Sequence, residues 1–244
     1  MNKISVFIVA LLIISILSIY PTLPFSAVAK KPQKPPPPPP PISKKICVLF
    51  FDDGFQNSYT VALPILLKYN FGATFGIITS LIGMDQNTLW ARLTSTQIRD
   101  LSNKGFEIAS HSVTHTDLLL LDHTQRMYEL TESNKVLQAL ITNVLDFIAP
   151  YSHTNSVIDA EILSVYQAYR SWDNYPNTIF VGSETLNTFK KEVSAKGNMV
   201  FLGYHQLRDA VGDYITSPTL FTQEMKWLYS QKYQVISFLK YRGK

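Results

Sequence analysis

From Ile46 onward the chain alternates short apolar runs with stretches of helical periodicity, and few architectures can bury such a series. The runs ICVLFF (46–51), ATFGII (73–78), FEIAS (106–110), VLDFIA (144–149), NMVFLGY (198–204) and YQVISF (233–238) read as strands. Helices are predicted near 58–69, 95–104, 123–142, 183–196 and 219–232, with starts at Ser95, Ser183 and Ser217-Pro218. The segment 157–181 reads as a helix from about 158, followed by a short strand near YRSW. Such alternation implies parallel strands with helices outside, either as an open sheet or as a (β/α) barrel. In a barrel, residues at the carboxyl ends of the strands converge on one face.

Composition removes one class of function. The 244-residue chain carries a net charge of +4, but six of its 22 basic residues (Lys3, Lys30, Lys31, Lys34, Lys44 and Lys45) precede Ile46, where no acid occurs. That leaves 16 basic against 18 acidic residues from 46 to 244, so the folded part is near neutral and a basic nucleic-acid-binding domain is rejected. With Cys47 the single cysteine, no intrachain disulfide can form.

Three segments are expected. Lys3 precedes ISVFIVALLIISILSIY, a run longer than a usual signal-peptide core and slightly short of the roughly 20 residues of a membrane span. Residues 1–29 are therefore a signal peptide or a membrane anchor, with Ala27-Val28-Ala29 offering a small-x-small cleavage site. Lys30, Lys31 and Lys34 oppose export, because the positive-inside rule disfavours them on the crossing side. Residues 30–45 form a basic, proline-rich linker, extended in polyproline II at about 3.1 Å per residue. It holds residues 46–244 off a surface, or offers a docking site to a proline-reading domain. A secreted or surface-anchored monomer is expected.

The chemistry-bearing residues fall at strand ends. Asp52 and Asp53 follow the first run and precede Gly54, and like charges so close require a cation, hydrogen bonds or open water to compensate. HSVTH places His111 and His115 four apart, which on a helical turn puts both imidazoles on one face. Two histidines and Asp53 make a three-ligand shell with open positions, as catalytic zinc and some other divalent sites require. Asp52 is then left as a general base, and His205, at the end of VFLGY, has the near-neutral pKa that suits proton delivery. The bland readings are a DDG turn or helix cap, unrelated histidines, and a hydrogen-bonded structural His205. Trp90, Trp172, Tyr151 and Tyr175 can stack on sugars or pack in the core.

Over nearly all of residues 46–240 the chain resembles the polysaccharide deacetylase family, the NodB-homology domain of carbohydrate esterase family 4. The first motif, TFDDG, appears as Phe50-Phe51-Asp52-Asp53-Gly54, with Phe50 for the ordinary Thr, and H[ST]xxH is matched by His111, Ser112 and His115. The resemblance implies a distorted (β/α) barrel of the NodB type, with Asp52 as base and Asp53, His111 and His115 on one divalent metal, Zn2+ first, with Co2+, Ni2+ or Mn2+ as alternatives. The third motif, Arg-x-Pro-Tyr, keeps Pro150 and Tyr151 but lacks the arginine; the amide after this proline is expected to hold the oxyanion. Arg170 is a candidate replacement for the arginine that orients the base, or a surface charge. Trp172 and Asp173 correspond loosely to the fourth motif. Leu202 and His205 fit the fifth, Leu-x-x-His, with the leucine expected to line the acetyl pocket. The activity implied is removal of acetyl groups from N-acetylated amino sugars of a polysaccharide or surface glycan. The rivals are a glycan-binding module on the same fold, a hydrolase of O-acetyl esters and, on ligand type alone, an iron oxygenase.

Overall fold

The computed structural model describes residues 45–175, 177–182 and 184–243. The expected leader or anchor, almost all of the proline-rich linker and the helix start at Ser183 lie outside them. Among the described residues no helix is long and apolar enough to cross a membrane.

In chain order the elements are β1 (Ile46–Phe51), a π-helical turn (Ser58–Ala62) that runs into α1 (Leu63–Tyr69), β2 (Thr74–Ile77), α2 (Ser95–Asn103), β3 (Glu107–Ser110), α3 (His123–Gln138), β4 (Asp146–Ile148) and α4 (Ser156–Val165). There follow β5 (Ala168–Arg170), β6 (Thr178–Phe180), α5 (Leu186–Ala195), β7 (Met199–Tyr204), β8 (Gln206–Leu207), β9 (Ile215–Thr216), α6 (Pro218–Ser230), β10 (Gln234–Ile236) and α7 (Phe238–Arg242). The main sheet runs β5-β4-β3-β2-β1-β7-β6, with all its pairings parallel. β10 and β2 share one flank of β1, β10 against Ile46–Val48 and β2 against Phe50 and Phe51. β5 and β6 end the order without pairing to each other, so the sheet curls into an open, distorted (β/α) barrel.

Alternation along the strands divides the apolar side chains between two layers. Val48 and Phe50 of β1 join Ala109, Ile148, Phe201, Ile236 and Phe238 in a small inner cluster. Cys47, Leu49 and Phe51 face outward into a larger one with Leu66 of α1, Ile98 of α2, Leu130 of α3, Ile162 of α4, Phe189 of α5 and Phe221 of α6. Each valine, leucine, isoleucine or phenylalanine among them, fully buried, stabilises the fold by about 1.5–3 kcal/mol.

Helix starts follow from capping chemistry. Thr94, one residue before the expected Ser95, caps α2, because its hydroxyl accepts the Gln97 N–H while Gln97 returns to the Thr94 N–H. Asp122 and Gln125 form the same box at α3, which ends at Gln138, short of the expected 142. Ser217 caps α6 with Pro218 in its first turn, as expected. The last apolar run divides: β10 stops at Ile236 because the Ser237 hydroxyl accepts the Lys240 N–H and begins α7. α7 lies across the starts of β2, β3 and β4, where Phe238 N–H donates to Thr74 Oγ1 (2.8 Å), Leu239 N–H to Glu107 Oε2 (2.6 Å) and Arg242 Nε to Asp146 Oδ2 (2.9 Å). The opposite, carboxyl ends of the strands stay clear for a site.

Candidate metal centre and active site

Strand ends deliver the candidate residues. Asp52 follows β1, its N–H donating to Tyr204 O at 2.8 Å, which ties it to the end of β7. Asp53 and Gly54 both take left-handed backbone (φ 68° and 66°), which turns the chain sharply as it leaves the strand. Arg92 holds this turn by donating from Nη1 to Asp53 O at 2.8 Å, its guanidinium lying 3.8 Å over the Phe55 ring. His111 follows β3 directly. The residues to His115 are not a helical turn, contrary to the expectation: Ser112 and His115 both have positive φ (67° and 64°). A tight loop, closed by the His115 N–H on Ser112 Oγ at 2.8 Å, brings the imidazoles together instead.

His111 Nε2 and His115 Nε2 are 3.1 Å apart, and Asp53 Oδ1 lies 3.4 Å from the first and 3.5 Å from the second. Ligand atoms bound at about 2.0–2.2 Å in a tetrahedral shell are separated by about 3.4 Å, so this triangle has the size of one face of such a shell. His111 Nδ1 donates to Ile148 O at 2.8 Å, which fixes the tautomer and leaves a lone pair on Nε2. Asp53 Oδ1 is buried with no hydrogen-bond partner. Burial, then the His111 charge, push His115 down to about 4 against the opposing pull of Asp53 and Asp52, so it rests neutral, the form that ligates. Burial raises the Asp53 carboxyl, but the close approach of the His111 imidazole, with His205 and His115 beyond it, outweighs this and holds the group well below the usual carboxylate range. Three lone-pair donors converging on one point fit a divalent cation.

Beside this triangle Asp52 is almost fully buried, and Arg170 Nη2, at the end of β5, donates to Asp52 Oδ2. Arg170 is 1% exposed, its guanidinium carbon 4.8 Å from the Phe50 ring centroid and 5.3 Å from that of Phe180. Phe50, where the family motif has Thr, therefore packs against the arginine that reaches Asp52. Phe180 can lie there because Gly203 faces it: a Cβ on Gly203 would come within 2.8 Å of Phe180 Cδ1. His205 follows β7 and packs on Phe180 (5.9 Å) and Tyr214 (4.9 Å), with Nδ1 buried and unpartnered. Burial lowers its pKa although Asp52 and Asp53 oppose the shift, so His205 rests below the near-neutral value expected of its type.

The sequence profile of the polysaccharide deacetylase family matches residues 40–170, more than half of the chain. The chain belongs to this family. YxkH of Bacillus subtilis (strain 168), which carries the same family name, is 33% identical over 94 residues, 38% of this chain and 32% of YxkH. The match thus spans about a third of the relative's length. Among solved structures, the T48 deacetylase with substrate superposes with a TM-score of 0.57 at 15% identity, covering 82% of this chain and 92% of its own. The Xyl-CE4 domain of a multidomain xylanase from the hindgut metagenome of Trinervitermes trinervoides gives 0.55 at 22% identity, covering 80% and 88%. At these identities the likeness is one of fold, the distorted (β/α) barrel.

The remaining polysaccharide deacetylase motifs are modified around the same centre. Pro150 is buried after β4, and Tyr151 (φ 55°) and Ser152 (φ 59°) follow it in left-handed backbone. The Tyr151 ring, 60% exposed, lies 4.8 Å from His115. Leu202 does not line a pocket. It pairs with Leu49 in register, faces outward with it and is buried in the outer layer, whereas Gly203, opposite Phe50, takes the inward position. Trp90 and Trp172 stand exposed at the rim, Trp172 stacked on Phe180 and Trp90 under Arg208. Tyr175 is a packing residue, in contact with Phe201 and Phe238. Sequence reading missed Arg92, Phe180 and Tyr214. For Phe180 a signal existed, since NTIFV is a β-branched and aromatic run closed by Gly182.

Proposed function

We propose that this chain is a metal-dependent hydrolase that removes acetyl groups from N-acetylated amino sugars of a polysaccharide or surface glycan. The observation that carries the reading is the triangle of Asp53 Oδ1, His111 Nε2 and His115 Nε2 beside a buried, arginine-paired Asp52. Asp53, His111 and His115 would hold a divalent cation, Zn2+ first, which when bound would supply Lewis acidity toward water and the acetyl carbonyl. Asp52 takes the proton from the water that attacks the carbonyl carbon. Its free Oδ1 is available for this because Arg170 engages Oδ2. The Tyr151 N–H donates to the developing oxyanion. His205 passes a proton to the sugar nitrogen as the C–N bond breaks, giving acetate and a free amine. As a resting neutral base, His205 has to gain that proton within the reaction, and the proton that Asp52 takes from the water is the one available. Passing it to His205 leaves Asp52 ionised again, and the two carboxylates of Asp52 and Asp53 then favour the charged imidazole until it protonates the amine.

The exposed Trp90, Tyr151 and Trp172 supply surfaces on which a glycan chain can stack. Residues 46–244 would form the catalytic domain, with residues 1–29 directing export or anchoring it and the proline-rich stretch as spacer. Acetate release from a panel of N-acetylated and O-acetylated glycans, with and without a chelator, tests the reading. Chelator-sensitive release from the N-acetylated members supports it; release from O-acetyl esters alone makes the chain an esterase, and none from any member leaves a binding module.

A further inference from the structure

Glu129 is a buried carboxylate that the proposed chemistry does not use. It lies within α3, is 5% exposed and faces the loop between the two candidate metal-ligating histidines. Its Oε2 accepts the N–H groups of Val113 (2.8 Å) and Thr114 (2.9 Å), and its Oε1 accepts the Thr114 hydroxyl (2.7 Å). One side chain thus holds both residues that separate Ser112 from His115. The loop needs such a hold: Ser112 and His115, at its two ends, occupy left-handed backbone, which costs a side-chain-bearing residue about 1–2 kcal/mol. Two further anchors, Thr79 N–H on Ser112 O (3.1 Å) and Ser80 N–H on Val113 O (3.0 Å), hold the near side of the loop, while the Thr114 N–H is held by Glu129.

We infer that Glu129 is a positioning residue for the metal centre, setting the loop that brings His115 Nε2 against His111 Nε2. The inference rests on the reading that Asp53, His111 and His115 hold a divalent cation. Its distinguishing feature is reach. In Glu129→Gln the amide oxygen still accepts both N–H groups, and the amide nitrogen faces a Thr114 hydroxyl that can turn its hydrogen toward Thr116 Oγ1, 2.7 Å away. In Glu129→Asp the charge survives, but the arm is one methylene shorter and the loop is released.

The test is the Zn2+ affinity of the full chain, measured by competition with a chelating indicator, with thermal melts of the metal-free proteins alongside. Glu129→Gln should stay within about threefold of wild type, and Glu129→Asp should weaken by about 10–100-fold, the usual range for outer partners of metal ligands. Thr114→Val, at an exposed position, removes only the hydroxyl contact and should weaken affinity about three- to tenfold, which keeps the inference testable if Glu129→Asp does not fold. Wild-type affinity in both Glu129→Asp and Thr114→Val would overturn the assignment, as would a loss in Glu129→Gln that equals or exceeds the loss in Glu129→Asp, because reach is kept in the Gln variant and only charge is removed. Failure of the wild-type chain to bind Zn2+ would instead overturn the reading of the site itself.

Discussion

Arg170 reaches Asp52 through a slot between the faces of Phe50 and Phe180, where its Nε and Nη1 find no hydrogen-bond partner. A delocalised, weakly hydrated guanidinium suits such a slot better than an ammonium does. Arg170→Met should leave metal content unchanged, lower turnover at least tenfold and cost about 3–5 kcal/mol of stability, because it strands a buried carboxylate. Arg170→Lys should recover part of the turnover. Coincident rates for wild type and Arg170→Met would remove the base-orienting role. Asp52→Asn should keep fold and metal but lose about 100-fold or more in turnover, the range for a general base. Gly203→Ala would press a methyl against the Phe180 ring, costing about 1–3 kcal/mol by denaturant titration, and Phe180→Leu in that background should relieve it. That Asp52, Asp53, His111, His115 and His205 gather at one end of the strands was legible in the sequence, because each stands directly after, or within a few residues of, a strand's carboxyl end. Leu202 was misread because its facing depends on the register of β7 against β1, which no local pattern carries.

At the scale of elements, strands that lie in longer apolar runs were readable, including the three-residue β4 and β10, as was the short strand β5, whereas β6, β8 and β9 were not. β6, β8 and β9 hold two or three residues each, too few for a period to show. α7 was missed because its first residue, Phe238, closes an apolar run in which a single serine cap, Ser237, separates it from β10. α6 carries a testable electrostatic load in Glu224, fully buried against β7, where it accepts the Tyr204 hydroxyl at 2.7 Å. Burial pushes its carboxyl from 4.5 up to about 8; the Tyr204 hydrogen bond opposes the shift and the Glu184 charge adds to it. The folded state therefore holds a proton there that the unfolded chain releases near 4.5. Its stabilising contribution is complete below pH 4.5, declines as pH rises and is lost once pH passes about 8. Glu224→Gln should flatten the wild-type fall in melting temperature between pH 5 and 8, seen as a difference between the two melting curves across pH. Parallel curves would show that Glu224 is ionised in the fold.

The whole molecule separates stability from chemistry along the barrel axis. At the amino ends of the strands α7 closes the fold through Thr74, Glu107 and Asp146. At the carboxyl ends β1, β3, β5 and β7 bring Asp52, Asp53, His111, Arg170 and His205 to one place. The strand–helix alternation predicted this division, since parallel strands put every carboxyl end on the same face. It did not predict the open seam between β5 and β6, which depends on which strands pair. The most direct test is acetate release from an N-acetylated oligosaccharide by the metal-stripped full chain as Zn2+ is titrated back. Activity should be absent without metal, rise with added Zn2+ and saturate near one equivalent per chain in wild type, with no recovery at that level in His115→Ala. Full activity in the stripped chain, or equal recovery in His115→Ala, would contradict a hydrolytic centre built on Asp53, His111 and His115.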